Sequence, residues 1–309
     1  MHFADRLFRA VDQKETPLCV GFDPHLALIP AHLLDSIDHH LDPLERYARA
    51  VETFCMQILD AVADLVPAVK PQFAFFERLG SPGMRVLARL CAEAVSRDLI
   101  VIGDAKRGDI GSTAEAYSEA YLAPPRAGFP EPDIRVDAIT LNPYMGFEAI
   151  QPFLCPYRKT GVFVLVKTSN PSGCQIQDIP THEGTVADSV ADLVVNWGSG
   201  REGDCGYSDV GAVVGAPYPE AAIGLRRRMP KTIFLIPGYG FQGGGSRDAM
   251  ITLDQRGHGG IVNSSRAILF AFQKGIHAHF GPERYAEAAR AATIDAITDL
   301  RNGFRALHP

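Results

Sequence analysis

The sequence has no run near the roughly 18 apolar residues that a membrane-spanning helix requires. Its opening, MHFADRLFRA, lacks the apolar stretch and small-residue cleavage site of a secretory signal. Both absences argue against a membrane or exported protein, so the expectation is a cytoplasmic location and no membrane partner. Positive charge is also in short supply: 30 Lys and Arg stand against 36 Asp and Glu, a formal net charge of −6. That balance leaves no electrostatic footprint for nucleic acid, and any phosphate-bearing ligand would need a local basic site instead of a global field. The six cysteines, Cys19, Cys55, Cys91, Cys155, Cys174 and Cys205, are scattered, with no C-x-x-C pair and no histidine at ligand spacing. We read them as reduced thiols, mostly in or near the core. His277 and His279 have no carboxylate cluster beside them, so no metal site is expected. Low complexity is confined to Gly243–Gly245.

What is abundant is apolar residues, 46% of 309, enough for one large α/β barrel or two ordinary domains. Short β-branched or apolar runs at 17–22, 68–72, 99–103, 138–141, 161–166, 210–214, 232–236 and 260–262 alternate with stretches of helical period near 44–64, 82–97, 112–122, 146–155, 185–197, 219–228, 246–256 and 283–303. Eight such units predict an α/β fold in which residues 1–309 form a single (β/α)8 TIM barrel; a doubly wound open sheet is the competing arrangement. Several apolar runs end on a polar residue: Asp23, Lys70, Asp104, Asn142 and Lys167. In a barrel these face one rim, where such folds carry chemistry. The connection 123–135 follows a helix and should lie away from that rim. The connection 171–184 follows a strand and should cover it. The connection 198–209 again follows a helix.

The stretch VIGDAKRGDIGSTAEAY (101–117) runs from an apolar strand into Asp104, Lys106 and Asp109. Asp104 and Lys106 are two apart, so on an extended chain they share a face. Alone, D-x-K-x-x-D is as well explained by a solvated surface ion pair. Lys70 ends the preceding strand and would lie beside Asp104 if the two strands are neighbours; a buried Lys-Asp-Lys-Asp array is costly to keep without a use. A phosphate site is suggested by PGYGFQGGGS (237–246) after the seventh strand and by NSSRAI (263–268) after the eighth, glycine amides and the Arg266 fork being suited to an anion. Gly238, Gly240 and Gly243 also satisfy the dinucleotide pattern G-x-G-x-x-G, but Asn263 stands about twenty positions on, where an acidic residue is needed. Glu77 and Arg226–Arg228 read as solvated, Lys167 as an ion-pair partner, and the role of Asn142 is open.

Here the chain resembles the orotidine 5′-phosphate decarboxylases, in particular the longer group of that family. DAKRGDI (104–110) reproduces their D-x-K-x-x-D-I core, and the likeness runs from VGFDPH (20–25) to VNSSRAI (262–268). The resemblance implies catalytic roles for Lys70, Asp104, Lys106 and Asp109, with Lys106 as proton donor. It assigns Asp23 to the ribose, Ser169 to the pyrimidine, and Gln242 and Arg266 to the phosphate, with Ser265 also a substrate-binding residue. Thr113 and Asp109 would reach the neighbouring subunit's ligand, which implies a homodimer with shared active sites. The implied substrate is orotidine 5′-phosphate and the implied cofactor is none. Two other readings stay open: a magnesium-dependent sugar-phosphate lyase of the same superfamily, which would carry an acidic metal ligand where Lys70 stands, and a non-catalytic nucleotide-binding barrel.

Overall fold

A computed structural model describes residues 1–122, 131–155, 159–240 and 243–308. Among them, eight parallel strands close into a barrel in sequential order. The strands are β1 (Leu18–Phe22), β2 (Ala68–Pro71), β3 (Ile100–Arg107), β4 (Ala138–Leu141), β5 (Gly161–Lys167), β6 (Val210–Val214), β7 (Phe234–Ile236) and β8 (Gly260–Ser264), with β8 pairing back onto β1. Each is short, largely Val, Ile, Leu or Ala, and buried throughout most of its length. Such uninterrupted apolar runs are what a strand covered on both faces requires. The single-barrel expectation therefore holds and the open sheet is excluded.

The principal helices are α1 (Phe3–Lys14), α2 (Pro43–Val62), α3 (Gly80–Ser96), α4 (Gly111–Tyr121), α5 (Val186–Gly198), α6 (Pro219–Arg228), α7 (Ser246–Met250) and α8 (Tyr285–Leu307). Local chemistry sets several starts. Asp42 accepts the amides of Leu44 and Glu45 ahead of Pro43 at the head of α2, and Thr185 and Asp188 form a reciprocal capping box on α5. Among the described residues no helix is long and apolar enough to cross a membrane.

Four details depart from the sequence reading. The stretch 146–155 forms two 3-10 turns, Phe147–Ala149 and Gln151–Phe153, because Pro152 has no amide with which to continue an α-helix. The helix expected over 246–256 stops at Met250; the Asp254 carboxylate accepts the amides of Arg256 and His258 and bends the chain into a turn. Arg226 is not solvated: its guanidinium donates to the carbonyls of Thr252, Met229, Thr232 and Gly259 and lies 3.7 Å from the centroid of the Phe234 ring. Burial draws its pKa down to about 10. Glu77, also read as solvated, pairs with Arg107. The thiols divide, Cys19, Cys55 and Cys91 being buried and Cys174 exposed. Of the connection 123–135, residues 123–130 lie outside the described residues.

The sequence reading assigned no role to α1. Its Phe3, Leu7, Phe8 and Val11 are buried on one face, against inward residues of the barrel such as Ala68, Ile102, Phe163 and Ile261. The helix thus plugs the barrel at the end opposite the charged strand termini. Phe3 meets Phe163 edge-on at 6.1 Å between centroids, and Phe8 stacks on His258 at 4.4 Å. The fit is close at Gly161, where an added Cβ would fall 2.3 Å from the Phe3 ring. Gly161→Ala should therefore destabilise the protein by about 1–3 kcal/mol through overpacking, read as a lower urea midpoint at unchanged m-value. Combining it with Phe3→Leu should recover part of the loss; an additive pair would contradict the packing described.

Candidate active site

Parallel pairing of β2 with β3 brings Lys70 against Asp104, and the two join at 2.6 Å from Nζ to Oδ2. Lys106, two residues along β3, bonds the other oxygen, Oδ1, at 2.5 Å. The Thr140 hydroxyl, from β4, donates to that same Oδ1 at 3.1 Å and accepts the amides of Ala105 and Lys106 at 3.0 and 2.9 Å. One carboxylate is thus held by two ammoniums and a hydroxyl. Lys70 and Asp104 are buried, whereas the Lys106 side chain is 45% exposed and reaches into the open. Lys106 also has a left-handed backbone, φ +48°, unusual for a residue with a side chain. The Thr140 bond to its amide holds that conformation, and strain of this kind concentrates at functional sites.

Burial by itself would raise the pKa of Asp104, but the charges and hydrogen bonds of Lys70 and Lys106 hold it well below the usual carboxylate range. Burial likewise works to deprotonate Lys70, and the charges of Asp104 and Asp23 outweigh it and raise its pKa. Both groups are therefore ionised at neutral pH.

The array floors a cavity of about 910 Å³. Lys70, Asp104, Lys106, Thr140 and Asn142 make its polar end; Ile176, Val186, Val190 and Leu193 supply an apolar wall. Thr168, Ser169, Asn170, Gly173 and Gln177, from the end of β5 and the segment after it, close one side. The connection 171–184 thus lies over the cavity, as the strand-end argument anticipated. Asn142 faces the cavity with its Oδ1 accepting the Tyr144 amide at 3.0 Å.

Of the sequence-predicted residues, Lys70, Asp104, Lys106 and Ser169 come together at this cavity. Asp23 stands after β1 on the same rim; its Oδ1 is buried with no hydrogen-bond partner among the described residues. Ser265 and Arg266 follow β8, where the Ser265 hydroxyl accepts from Asn263 at 3.3 Å. Gln242 lies outside the described residues. Asp109 and Thr113 do not line the cavity of their own chain. Asp109 is only partly covered and accepts the Ile110 amide at 2.8 Å, and Thr113 is exposed on the first turn of α4. The glycine loop differs from expectation: the amides of Gly240, Gly243 and Gly244 bond to carbonyls of the loop itself, and that of Gly245 bonds to Asp248. They serve the shape of the loop, with Gly238, Gly240 and Gly243 all at positive φ. Thr140 was not anticipated, since a threonine within TLNP reads as an ordinary strand former; its polarity inside an otherwise apolar strand was the available signal.

A parallel barrel whose strand ends converge on a buried lysine–aspartate array under a covering loop has the architecture of a (β/α)8 barrel enzyme. Comparison with known proteins narrows this. The profile of the orotidine 5′-phosphate decarboxylase / HUMPS family matches residues 16–275, and the chain belongs to that family. A curated relative from Rhodopirellula baltica, named orotidine 5′-phosphate decarboxylase, is 45% identical over 307 residues, 97% of this chain and 99% of its own. One of the same name from Caldicellulosiruptor bescii is 40% identical over 289 residues, 92% of this chain and 95% of its own. Among solved structures, OMP decarboxylase from Leishmania donovani superposes with a TM-score of 0.74 at 27% identity, covering 99% of both chains. The resemblance read from DAKRGDI and its flanks is borne out at the level of the family.

Because Asp104 titrates below its ordinary 3.8 in the folded protein, its contribution to stability is complete above that pH and is lost as pH falls toward the depressed value. Lys70, raised above its ordinary 10.5, contributes below that pH and loses its effect as pH rises further. Asp104→Asn leaves Lys70 as a buried charge without its counterion. It should cost about 3–5 kcal/mol at neutral pH and flatten the acid limb of stability against pH, measured by urea unfolding from about pH 5 down to about pH 2. An unaltered acid limb would show that Asp104 is not the group responsible.

Proposed function

We propose that this chain is a carboxy-lyase that converts orotidine 5′-phosphate to UMP and carbon dioxide in de novo pyrimidine biosynthesis, with residues 1–309 acting as one barrel domain. The observation that carries the reading is the bonded Lys70–Asp104–Lys106 array at the floor of the cavity. Decarboxylation breaks the bond from C6 to the carboxylate and leaves the electron pair in the plane of the pyrimidine ring, where the π-system delocalises it poorly. A cation must be fixed there beforehand. An ammonium about 4 Å from that carbon, at an effective dielectric near 20, is worth roughly 4 kcal/mol. Lys106 supplies that charge and then transfers a proton from Nζ to C6; solvent restores it. Lys70 and Thr140 keep Asp104 in place, and Asp104 keeps Lys106 aimed.

The rest of the acceleration comes from binding remote from the reacting bond. Arg266, Ser265 and Gln242 hold the phosphate, Asp23 takes the ribose, and Ser169 meets the pyrimidine beneath the covering segment. Asp109 and Thr113, which do not line their own cavity, complete the site of a second chain, so the active unit is a homodimer. No cofactor is needed for this chemistry. Lys70 occupies the end of β2, where its ammonium would repel a divalent ion, which supports the metal-free reading over the magnesium-dependent one.

Mixing purified protein with orotidine 5′-phosphate and following ultraviolet absorbance tests the activity, and turnover is expected to persist in excess chelator. Complete loss of turnover with chelator would sink the metal-free mechanism. Lys106→Ala should abolish turnover while UMP binding remains measurable by calorimetry; a wild-type rate would remove Lys106 as proton donor. Mixing inactive Lys106→Ala chains with inactive Asp109→Ala chains should restore activity in the heterodimer, which possesses one site with both residues intact. No recovery in a demonstrated heterodimer would contradict the shared site.

A further inference from the structure

Lys167, the last residue of β5, is buried, its side chain only 6% exposed, yet it does not line the cavity. Its ammonium pairs with Asp178, a half-exposed residue of the segment that covers the cavity, and lies 4.9 Å from the centroid of the Tyr218 ring. Next to this pair the covering segment is fastened a second time. The Gln177 side chain accepts the Thr168 amide at 3.0 Å and donates to the Thr168 hydroxyl at 2.7 Å. Residues 167 and 168 of the strand end are thus clamped to 178 and 177 of the cover, and Ser169, which faces the cavity, is the next residue in the chain.

We propose that Lys167 and Asp178 form a latch that fixes the segment 171–185 over the cavity, with Lys167 a positioning residue that acts through Asp178. A buried ammonium is costly without a counterion. Asp178 is the counterion that offsets this cost, with the Tyr218 ring face compensating only in part, so the closed position of the cover is favoured by the ion pair. A cover that is loosened binds ground state and transition state less well alike, and this raises KM while leaving kcat little changed. That consequence rests on the decarboxylase reading of the cavity; the latch does not.

The test uses Asp178→Asn, a near-isosteric change in a half-exposed position, with Lys167→Met beside it. In the unliganded full-length chain, hydrogen exchange of the 171–185 amides should accelerate about tenfold in both variants, as expected for loss of a charge-assisted bond. With orotidine 5′-phosphate, Asp178→Asn should raise KM about tenfold and change kcat by less than about threefold, with Asp178→Glu restoring most of the loss. Unchanged exchange in Asp178→Asn overturns the latch. Faster exchange with a wild-type KM overturns the positioning role. Wild-type protein without turnover overturns the decarboxylase reading, and exchange then still decides the latch.

Discussion

Asp104 is a single carboxylate asked to satisfy two ammoniums and a hydroxyl at once, and the upper half of the barrel is arranged around that demand. Lys70 arrives from β2, Lys106 from the end of β3 and Thr140 from β4. Only a parallel sheet in this order, with neighbouring strands ending at the same level, delivers the three groups to one point. The carboxylate in turn makes the burial of Lys70 tolerable and fixes the direction of Lys106. Without it, Lys70 would be a buried charge with no adjoining counterion and with the like charge of Lys106 beside it, an unfavourable arrangement for a protein interior.

This dependence explains the division of labour along the barrel axis. At one end, apolar strand residues and α1 provide a packed floor that does not yield. At the other, the same strands exchange apolar side chains for charged ones, and the segment after β5 supplies the cover. The left-handed backbone at Lys106 marks the boundary: there β3 ceases to be a regular strand and becomes the platform for a reacting group. A rigid base beneath a charged rim lets energy from distant contacts with a ligand act on the reacting bond without deforming the array.

Much of this could be read from the chain alone. The strands were visible because strands buried on both faces must be continuous apolar runs, and the meeting of Lys70 with Asp104 followed from the adjacency of consecutive strands in a barrel. What escaped detection was every contact whose partners are chosen by tertiary packing. Thr140 was hidden because threonine is at home in any strand. Arg226 sits in a run of three arginines, and nothing in that run says that one of them turns inward to gather four carbonyls. Asp178 follows Lys167 by eleven residues that pass through a 3-10 turn and one short helical turn, a separation without any periodic signature. The face on which α1 packs was equally invisible, since an amphipathic helix announces that it will be covered and not by what.

That helix has a consequence for how the protein is made. α1 precedes every barrel strand in the chain, but the surface that receives it includes Phe163, Leu235 and Ile261, so its socket is incomplete until β8 has been synthesised. At common rates of translation, this leaves Phe3, Leu7, Phe8 and Val11 without their native cover for on the order of tens of seconds. The nascent chain therefore carries an uncovered apolar stripe while its strands are made, and the barrel is sealed by a helix that precedes all of them only after the last strand is in place.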